Sequence, residues 1–301
     1  MFTSSQSGGR ISHRLTLVPW TDCRGLRVRA SFQGLGHAGQ ASLTGATDFM
    51  DVYAGAFFRE IVWWRIALFL FVGPFLFGNL CSFLRARYFL EDGYSRKLHH
   101  VGIMLISGPC LAVLPDAQLL PSMMASSLAL ILISFVAAYS RVPLLAGMAE
   151  HSLRRRDGPH SRFFFLMPMI TSNVAITVSA LLFPLTLVKV AFFTVAIADG
   201  LAEPIGVRFG RSNVFRINDI VWGWTNTKSL AGSTTVFVLA AAVCAAMLTI
   251  SGQARMPVVP VSLAFAALTT VIEALSPRGM DNMLIMLITP PFLLALGVMS
   301  W

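Results

Sequence analysis

Two carboxylates follow directly on an apolar run in the segment AFFTVAIADGLAEPIGVRFGR, residues 191–211. A carboxylate in a hydrocarbon environment is costly unless it is paired or hydrated. Mg²⁺ binds one or two carboxylates together with phosphate oxygens and water, so Asp199 and Glu203 are candidate magnesium ligands. A helix would carry five residues of this segment on one stripe, since they recur every three or four positions: Asp199, Ala202, Glu203, Gly206 and Gly210.

This stripe has alternative interpretations. Glycines allow a ligand to approach the backbone closely, but they also allow two membrane helices to pack against each other. Asp199 could likewise be a helix-end acid that pairs with Arg208 or Arg211. The sequence alone leaves both alternatives open.

Cations and hydroxyl groups gather in two further segments, YSRKLHH (residues 94–100) and TNTKSLAGS (residues 225–233). Lys228 precedes a predicted helix start, where free amide groups favour an anion. The candidate nucleotide-binding residues of the two segments are Arg96, Lys97, His100, Lys228, Ser229, Gly232 and Ser233. The charged residues have simpler interpretations when taken singly, because Lys228 could anchor a helix at the membrane surface and Arg96 and Lys97 could set topology. His100 alone could be a hydrogen-bonded packing residue. Together, acids for a metal and cations for phosphates favour phosphoryl transfer from a nucleotide.

Two segments are assigned no catalytic role. The run LRRRDGPHSR, residues 153–162, is expected to be a solvated loop. The run GWTNTKS, residues 223–229, superficially resembles a phosphate loop, but that motif requires glycine immediately before the lysine, and Thr227 occupies this position. We expect no strand–loop–helix context there.

Membrane helices must position these residues. The chain has 301 residues, of which 55% are apolar and 12% charged, whereas about 25% are charged in soluble domains. Several apolar windows reach the roughly 20 residues that cross a bilayer. We therefore expect an all-α fold, a polytopic integral membrane helical bundle with about eight transmembrane helices. The expected spans are 61–84, 98–116, 119–140, 163–185, 190–207, 229–250, 257–275 and 283–300.

Basic residues are distributed unequally over the expected loops. The loops 85–97, 141–162, 208–228 and 276–282 fall on one side and hold 14 Lys and Arg residues, against two in the opposite loops. The positive-inside rule makes that side cytoplasmic, or stromal in a plastid. It also accounts for the net charge of +9 without a nucleic-acid partner. All the polar clusters fall on this side, so we expect them to form a single site.

Residues 1–50 differ from the rest of the chain. They contain five arginines and only two acids, with many Ser, Gly and Thr residues. This composition is typical of an organelle transit peptide. The alternative is that Met50 is the true first residue. Either interpretation leaves residues 51–301 as the membrane domain.

At these polar clusters the sequence resembles the polyprenol kinase family, which includes dolichol, phytol and farnesol kinases. The similarity covers residues 94–301, about two thirds of the chain. The run SRKLHH is similar to the family's entry motif, which selects His100 rather than His99. DGLAEPIGVRFGR and TKSLAGS look like its nucleotide-binding elements, and EALSPRGMDN, residues 273–282, looks like its last conserved block. That block adds three site residues: Glu273, Asp281 and Asn282.

The resemblance implies a transmembrane kinase domain that transfers a phosphoryl group from CTP, with Mg²⁺, to an isoprenoid alcohol at the membrane surface. Asp199, Lys228 and Asp281 would be the catalytic residues, with Asp281 as the candidate general base. Asp199, Glu203 and Asp281 would hold the metal ion. Ala231 and Glu203 match the phytol and farnesol branch, which implies phytol, geranylgeraniol or farnesol as the substrate.

Three alternatives remain at this point. The first is dolichol kinase, and the second is a phosphatidate cytidylyltransferase-like enzyme, although the Asp-rich C-terminal signature of that enzyme is not visible. The third is a multi-pass transporter, whose polar groups would lie near the bilayer midplane. The expected location is a bacterial inner membrane or a plastid membrane, and no protein partner is inferable from the sequence.

Overall fold

The computed structural model describes residues 61–89, 92–223, 225–252 and 254–299. The expected N-terminal tail, residues 1–50, lies outside the described residues. The helices are α1 (Trp63–Tyr88), α2 (Asp92–Val113), α3 (Asp116–Tyr139), α4 (Pro143–Glu150), α5 (Ser161–Leu182), α6 (Leu185–Phe209), α7 (Leu230–Ser251), α8 (Val258–Leu275) and α9 (Asp281–Ala295). A short 3₁₀ helix, Arg155–His160, leads into α5.

Six helices of the described chain are long and apolar enough to cross a membrane: α1, α3, α5 with its 3₁₀ turn, α6, α7 and α8. The expectation of a mostly helical chain with helices that could span a membrane is therefore confirmed, but the expected count of eight is not. The other two expected spans correspond to α2 and α9. The first half of α2 carries the polar site residues, and α9 has 15 residues. At 1.5 Å per residue α9 extends about 22 Å, less than the roughly 30 Å hydrocarbon layer.

Helix α6 is at the centre of the bundle. Its apolar window is 67% buried, against 28–39% for the other five long helices. It packs against α2, α7 and α9, and Val190, Val195 and Ala198 on it are fully buried. Because α6 carries the two acids of the stripe, its central position brings them against several other helices.

Helix α6 also contains a π-helical turn, Val195–Asp199. Asp199 is the last residue of this turn, and its backbone oxygen accepts a hydrogen bond from the Lys97 side chain. Single π turns inside α-helices are frequently found at functional sites. A second π segment, Phe71–Phe77, contains Pro74 and interrupts α1 in the same way.

Small residues let the second half of α6 pack closely on the start of α7. A Cβ atom added at Gly206 would lie 2.7 Å from the Ser229 Oγ atom, and one added at Gly232 would lie 3.3 Å from the backbone oxygen of Ala202. A larger side chain at Gly206 would displace the Ser229 side chain at the start of α7. The glycines therefore serve helix packing, which was one of the two alternatives for them.

The segment between α6 and α7 forms an antiparallel β-hairpin, which the all-α expectation did not include. Strand β1 (Val214–Asn218) pairs with β2 (Thr225–Ser229), and Phe215 lies opposite Lys228. Strand β2 leads directly into α7, so a strand does precede that helix. No loop separates this strand from the helix, so the strand–loop–helix arrangement of a phosphate loop is not formed here.

The helix order places the loops at two ends of the bundle, which gives a labelling test. We expect Arg141→Cys and Ser212→Cys to react with a membrane-impermeant thiol reagent from the same side of the membrane. Both positions are exposed, and both fall on the same side when the expected spans alternate across the membrane. Arg255→Cys, between α7 and α8, should react only from the other side. The measurement is labelling of sealed vesicles in a background without native cysteines. Labelling of Arg141→Cys and Ser212→Cys from opposite sides would contradict this arrangement.

Candidate functional site

A polar cavity of about 770 Å³ lies where the second half of α6 meets the starts of α2, α7 and α9, the end of α8 and strand β2. Twelve of the fifteen site residues predicted from the sequence line it: Arg96, Lys97, Asp199, Ala202, Glu203, Gly206, Lys228, Ser229, Gly232, Ser233, Glu273 and Asp281. Gly210 packs against Ser229, and His100 and Asn282 line a neighbouring cavity. We call this polar space the charged cavity.

Asp199 is held by a buried lysine. The Lys97 Nζ atom donates to Asp199 Oδ2 at 2.6 Å and to the Asp199 backbone oxygen at 2.9 Å. Both residues are buried. Lys97 rather than Arg208 or Arg211 is thus the partner of Asp199. Removing one partner of a buried pair leaves an uncompensated charge, so this contact fixes α2 against α6.

The second acid of the stripe lies between two arginines. Arg96 donates a hydrogen bond to Glu203 Oε2, and the Arg154 Nη2 atom lies 3.7 Å from Glu203 Oε1. Arg154 also lines the charged cavity. The carboxylate therefore holds two guanidinium groups from distant parts of the chain at the cavity wall.

The segment 153–162 contributes to this site, contrary to the expectation of a solvated loop. The Arg154 side chain is only 11% exposed. Asp157 is buried and forms an ion pair with Arg278, whose guanidinium group also lies over the Phe164 ring. A run of arginines in a membrane protein usually marks a cytoplasmic loop, and nothing in its spacing reveals the partners that bury it.

Lys228 and Ser229 hold the junction between β2 and α7. Lys228 forms an ion pair with Glu273 near the end of α8. Burial alone would lower the pKa of Lys228, but attraction to Glu273 and Asp281 outweighs it and raises the pKa above its usual value. Lys228 is therefore a permanent cation at the cavity wall. The Ser229 hydroxyl accepts a hydrogen bond from the Gly232 amide at 3.1 Å and caps α7.

The described residues contain no group of three or more His, Cys, Asp or Glu side chains that could hold a metal ion. Asp199 and Glu203 face protein cations, so the three expected ligands do not form a ready metal site. Asp281, in the first turn of α9, forms no ion pair among the described residues, and its Oδ1 atom accepts only the Asn282 amide. A magnesium ion carried by phosphate oxygens needs only one or two carboxylates, and Asp281 fits that role best.

An apolar cavity adjoins the charged cavity. Side chains of α2, α3, α5 and α9 line it, among them Met104, Leu119, Met123, Ile176 and Met286. The two cavities share six lining residues: Arg96, Lys97, Phe164, Asp199, Gly279 and Asp281. A molecule with an apolar chain and one polar end could therefore place that end among the charged groups.

The two adjacent histidines of α2 point to different surroundings. The His100 Nε2 atom lies 3.9 Å from Asp199 Oδ2 and 3.1 Å from the Val195 backbone oxygen. The His99 ring instead packs against the His151 ring, with centroids 3.8 Å apart. His100 is thus the histidine that lies beside the acid, as the motif resemblance had selected.

Several buried polar atoms at these cavities have no hydrogen-bond partner among the described residues. They include Arg96 Nε, Ser233 Oγ and Asn282 Oδ1. Buried polar groups are rarely left unpaired in folded proteins. Water or a polar ligand that reaches these atoms would complete their hydrogen bonding.

The sequence reasoning missed Asp219, which ties the hairpin to the loop between α8 and α9. Its Oδ2 atom accepts the Arg278 amide at 2.7 Å and the Asn226 side chain at 3.1 Å, and its Oδ1 atom accepts two amides of the hairpin turn. Burial alone would raise the pKa of Asp219, but these hydrogen bonds outweigh it and lower the pKa. An aspartate that precedes a glycine-containing turn was the available signal.

Comparison with known proteins adds no relative. No family model matches the chain, and neither the curated proteins nor the solved structures give a significant match. The interpretation of the site therefore depends on its geometry and on the motif resemblance.

The Lys97–Asp199 pair gives a stability test. We expect Lys97→Met to lower the free energy of unfolding by about 3–5 kcal/mol, because it leaves Asp199 charged and buried. Replacing both partners, as Lys97→Met with Asp199→Leu, should recover most of this loss. The measurement is unfolding of the detergent-solubilised protein by denaturant titration.

Lys189→Met is the matched control. Lys189 lies 3.7 Å from Asp116, whose side chain is 74% exposed, so removing this pair should cost about 1 kcal/mol or less. Equal losses for Lys97→Met and Lys189→Met would show that the buried pair does not stabilise the bundle.

Proposed function

We propose that this protein is an integral membrane kinase that transfers the terminal phosphoryl group of a nucleoside triphosphate to an isoprenoid alcohol. The observation that carries the proposal is the shared wall between the charged and apolar cavities, which contains Asp199 and Asp281. A reaction between a polyanion and an apolar alcohol needs two such cavities that meet at the reacting groups. The motif resemblance favours CTP as the nucleotide.

The charged cavity has the composition that a metal-bound triphosphate requires. Six cations line it: Arg96, Lys97, Arg154, Lys228, Arg211 and Arg278. Phosphoryl transfer is catalysed chiefly by positioning the reactants and neutralising charge, and cations at the transferred group do both. Lys228 is assigned to the phosphates, because it stays protonated and lines the charged cavity.

Mg²⁺, when bound with the nucleotide, would neutralise phosphate charge. Asp281 is the residue of this chain assigned to hold it, with Asp199 nearby in the same wall. Asp199 also keeps Lys97 in place through their hydrogen bonds. Glu203 is assigned a positioning role, since it orients Arg96 and Arg154 toward the cavity.

The apolar cavity is assigned to the prenyl chain. Its polar end is marked by His100, Asn282 and Asp281, where the hydroxyl group of the alcohol would meet the terminal phosphate. Asp281 is assigned as the acceptor of the hydroxyl proton, because it lies in this shared wall and forms no close ion pair among the described residues.

The location of the site follows from charge. The four loops that the sequence predicts on the side of the polar clusters hold 14 Lys and Arg residues, against two in the opposite loops. We assign this side to the cytoplasm of a bacterium or the stroma of a plastid by the positive-inside rule. A nucleotide would then reach the charged cavity from the aqueous phase, and the alcohol would enter from the bilayer.

Lipid nucleotidyl transfer is the nearest competing chemistry, because it would use the same pair of cavities. The two reactions differ in the phosphate that is transferred. CTP labelled on the γ-phosphate should give a labelled lipid, whereas CTP labelled on the α-phosphate should not. Label from the α-phosphate in the lipid would replace the kinase proposal by nucleotidyl transfer.

Two substitutions test the site. We expect Asp199→Asn and Lys228→Met each to lower turnover by roughly 10²-fold or more, the loss seen when one electrostatic stabiliser is deleted. Asparagine keeps a hydrogen-bond acceptor for Lys97, so Asp199→Asn removes the charge with the least disturbance of α2. The measurement is CTP-dependent phosphorylation of a prenyl alcohol, normalised to folded protein.

Arg141→Met is the control for this pair, because Arg141 is exposed and lies outside both cavities. Its turnover should stay near that of the unaltered protein. Near-normal turnover in both Asp199→Asn and Lys228→Met would remove the mechanism proposed here.

The substrate class is tested with a panel of alcohols. We expect phosphorylation of C15–C20 alcohols such as farnesol, geranylgeraniol and phytol, and little phosphorylation of dolichol. This expectation follows from Ala231 and Glu203 in the motif resemblance. The measurement is kcat/KM for each alcohol in mixed micelles, and a preference for dolichol would reverse the assignment.

A further inference from the structure

The tip of the β-hairpin, residues 219–223, carries apolar side chains that the turn itself does not require. Asp219 supplies the turn hydrogen bonds, and Gly223 supplies the positive φ of 66°. Ile220 and Val221 lie between them and are 95% and 52% exposed. Single exposed apolar residues are common, but two adjacent β-branched residues at the end of a polar hairpin form a local apolar surface.

Trp222 places this tip beside the start of a membrane helix. Its ring packs edge-to-face against the rings of Phe163 and Phe164 in the first turn of α5, at 5.3 and 5.9 Å. Its indole nitrogen donates to the Arg278 backbone oxygen at 3.3 Å. The tip is therefore attached at the end of an apolar helix.

Other residues typical of a membrane interface lie near the hairpin tip, where α3 ends and α5 begins. The Arg162 guanidinium group lies over the Tyr139 ring at 5.4 Å. Phe163 is 43% exposed beside them. Trp and Tyr are enriched where apolar helices leave the bilayer, since their rings are apolar with one polar group. The aromatic residues Tyr139, Phe163 and Trp222 thus mark the headgroup level on the side of the charged cavity.

We propose that the hairpin tip inserts Ile220 and Val221 into the headgroup–acyl boundary of the bilayer that holds the protein. The lipid-facing surface of α5 continues through Phe163 and Trp222 to these two side chains, so the partner is the lipid surface. Burying both side chains removes apolar area from water, which favours insertion. Asp219 and its hydrogen bonds to Arg278 and Asn226 hold the tip at this position.

Insertion of the tip has a direct consequence for the charged cavity. Strand β2 continues from the tip, and its residues Asn226, Thr227 and Lys228 form part of the cavity wall. The bilayer surface would hold this part of the cavity wall at a fixed depth relative to the lipid headgroups. This interaction does not depend on which reaction the cavity performs.

A fluorescent label tests the depth of the tip. The probe is the environment-sensitive fluorophore NBD on Ile220→Cys, in a background without native cysteines, in vesicles of phosphatidylcholine and phosphatidylglycerol. We expect a blue-shifted emission, strong quenching by a nitroxide near the lipid headgroup, and protection from aqueous iodide. Because Ile220 is almost fully exposed, the substitution should leave the protein folded, which size-exclusion chromatography checks.

Ser212→Cys is the matched control, because it is exposed on the same side and precedes the hairpin. Its label should emit as in water and be quenched by iodide. A label at position 220 that is as accessible to iodide as the label at position 212, and unaffected by the lipid nitroxide, would overturn the proposal. In the Trp222→Ala variant, the lipid nitroxide should quench the label at position 220 less strongly. This variant loses the aromatic contact between the hairpin tip and α5.

Discussion

The hydrogen-bonded ion pair between Lys97 and Asp199 is the interaction on which the rest of the site depends. It joins the polar start of α2 to the central helix α6, and it lies in the wall that the two cavities share. In a medium of low dielectric constant, separating these charges would leave each of them without water or a counter-ion. The pair therefore fixes the distance between the two helices, and both cavities take their shape from that distance.

Three other acids, Glu203, Glu273 and Asp157, follow the same arrangement, in which an acid pairs with a cation from a distant part of the chain. Glu203 on α6 holds Arg96 and Arg154, Glu273 on α8 holds Lys228, and Asp157 holds Arg278. An anionic ligand in the charged cavity would compete with these carboxylates for their cations. The ion pairs thus keep the cations oriented and desolvated before such a ligand arrives, which lowers the cost of reorganisation at the site.

The sequence predicted the parts of the structure that depend on local pattern. Apolar length identified the helices, and three- and four-residue spacing placed Asp199 and Glu203 on one face. It did not predict which cation meets which acid, because partners such as Lys97 and Asp199 are 102 residues apart. The hairpin was missed since each strand has only five residues, too few for a clear alternating pattern. Arg154 was missed because a basic run looks the same in a solvated loop and beside a buried carboxylate.

The π-helical turn at Val195–Asp199 makes α6 tolerant of the loss of one residue at that turn. A π turn holds one residue more than the α turn that it replaces, so deleting one residue within it would let the helix return to regular α geometry. Each residue of an α-helix advances the chain by about 100° around the axis, so a deletion in a regular part of α6 would rotate the stripe by this amount relative to the packed first half. A deletion within the π turn would instead leave the stripe, and every charged group on it, in its present orientation.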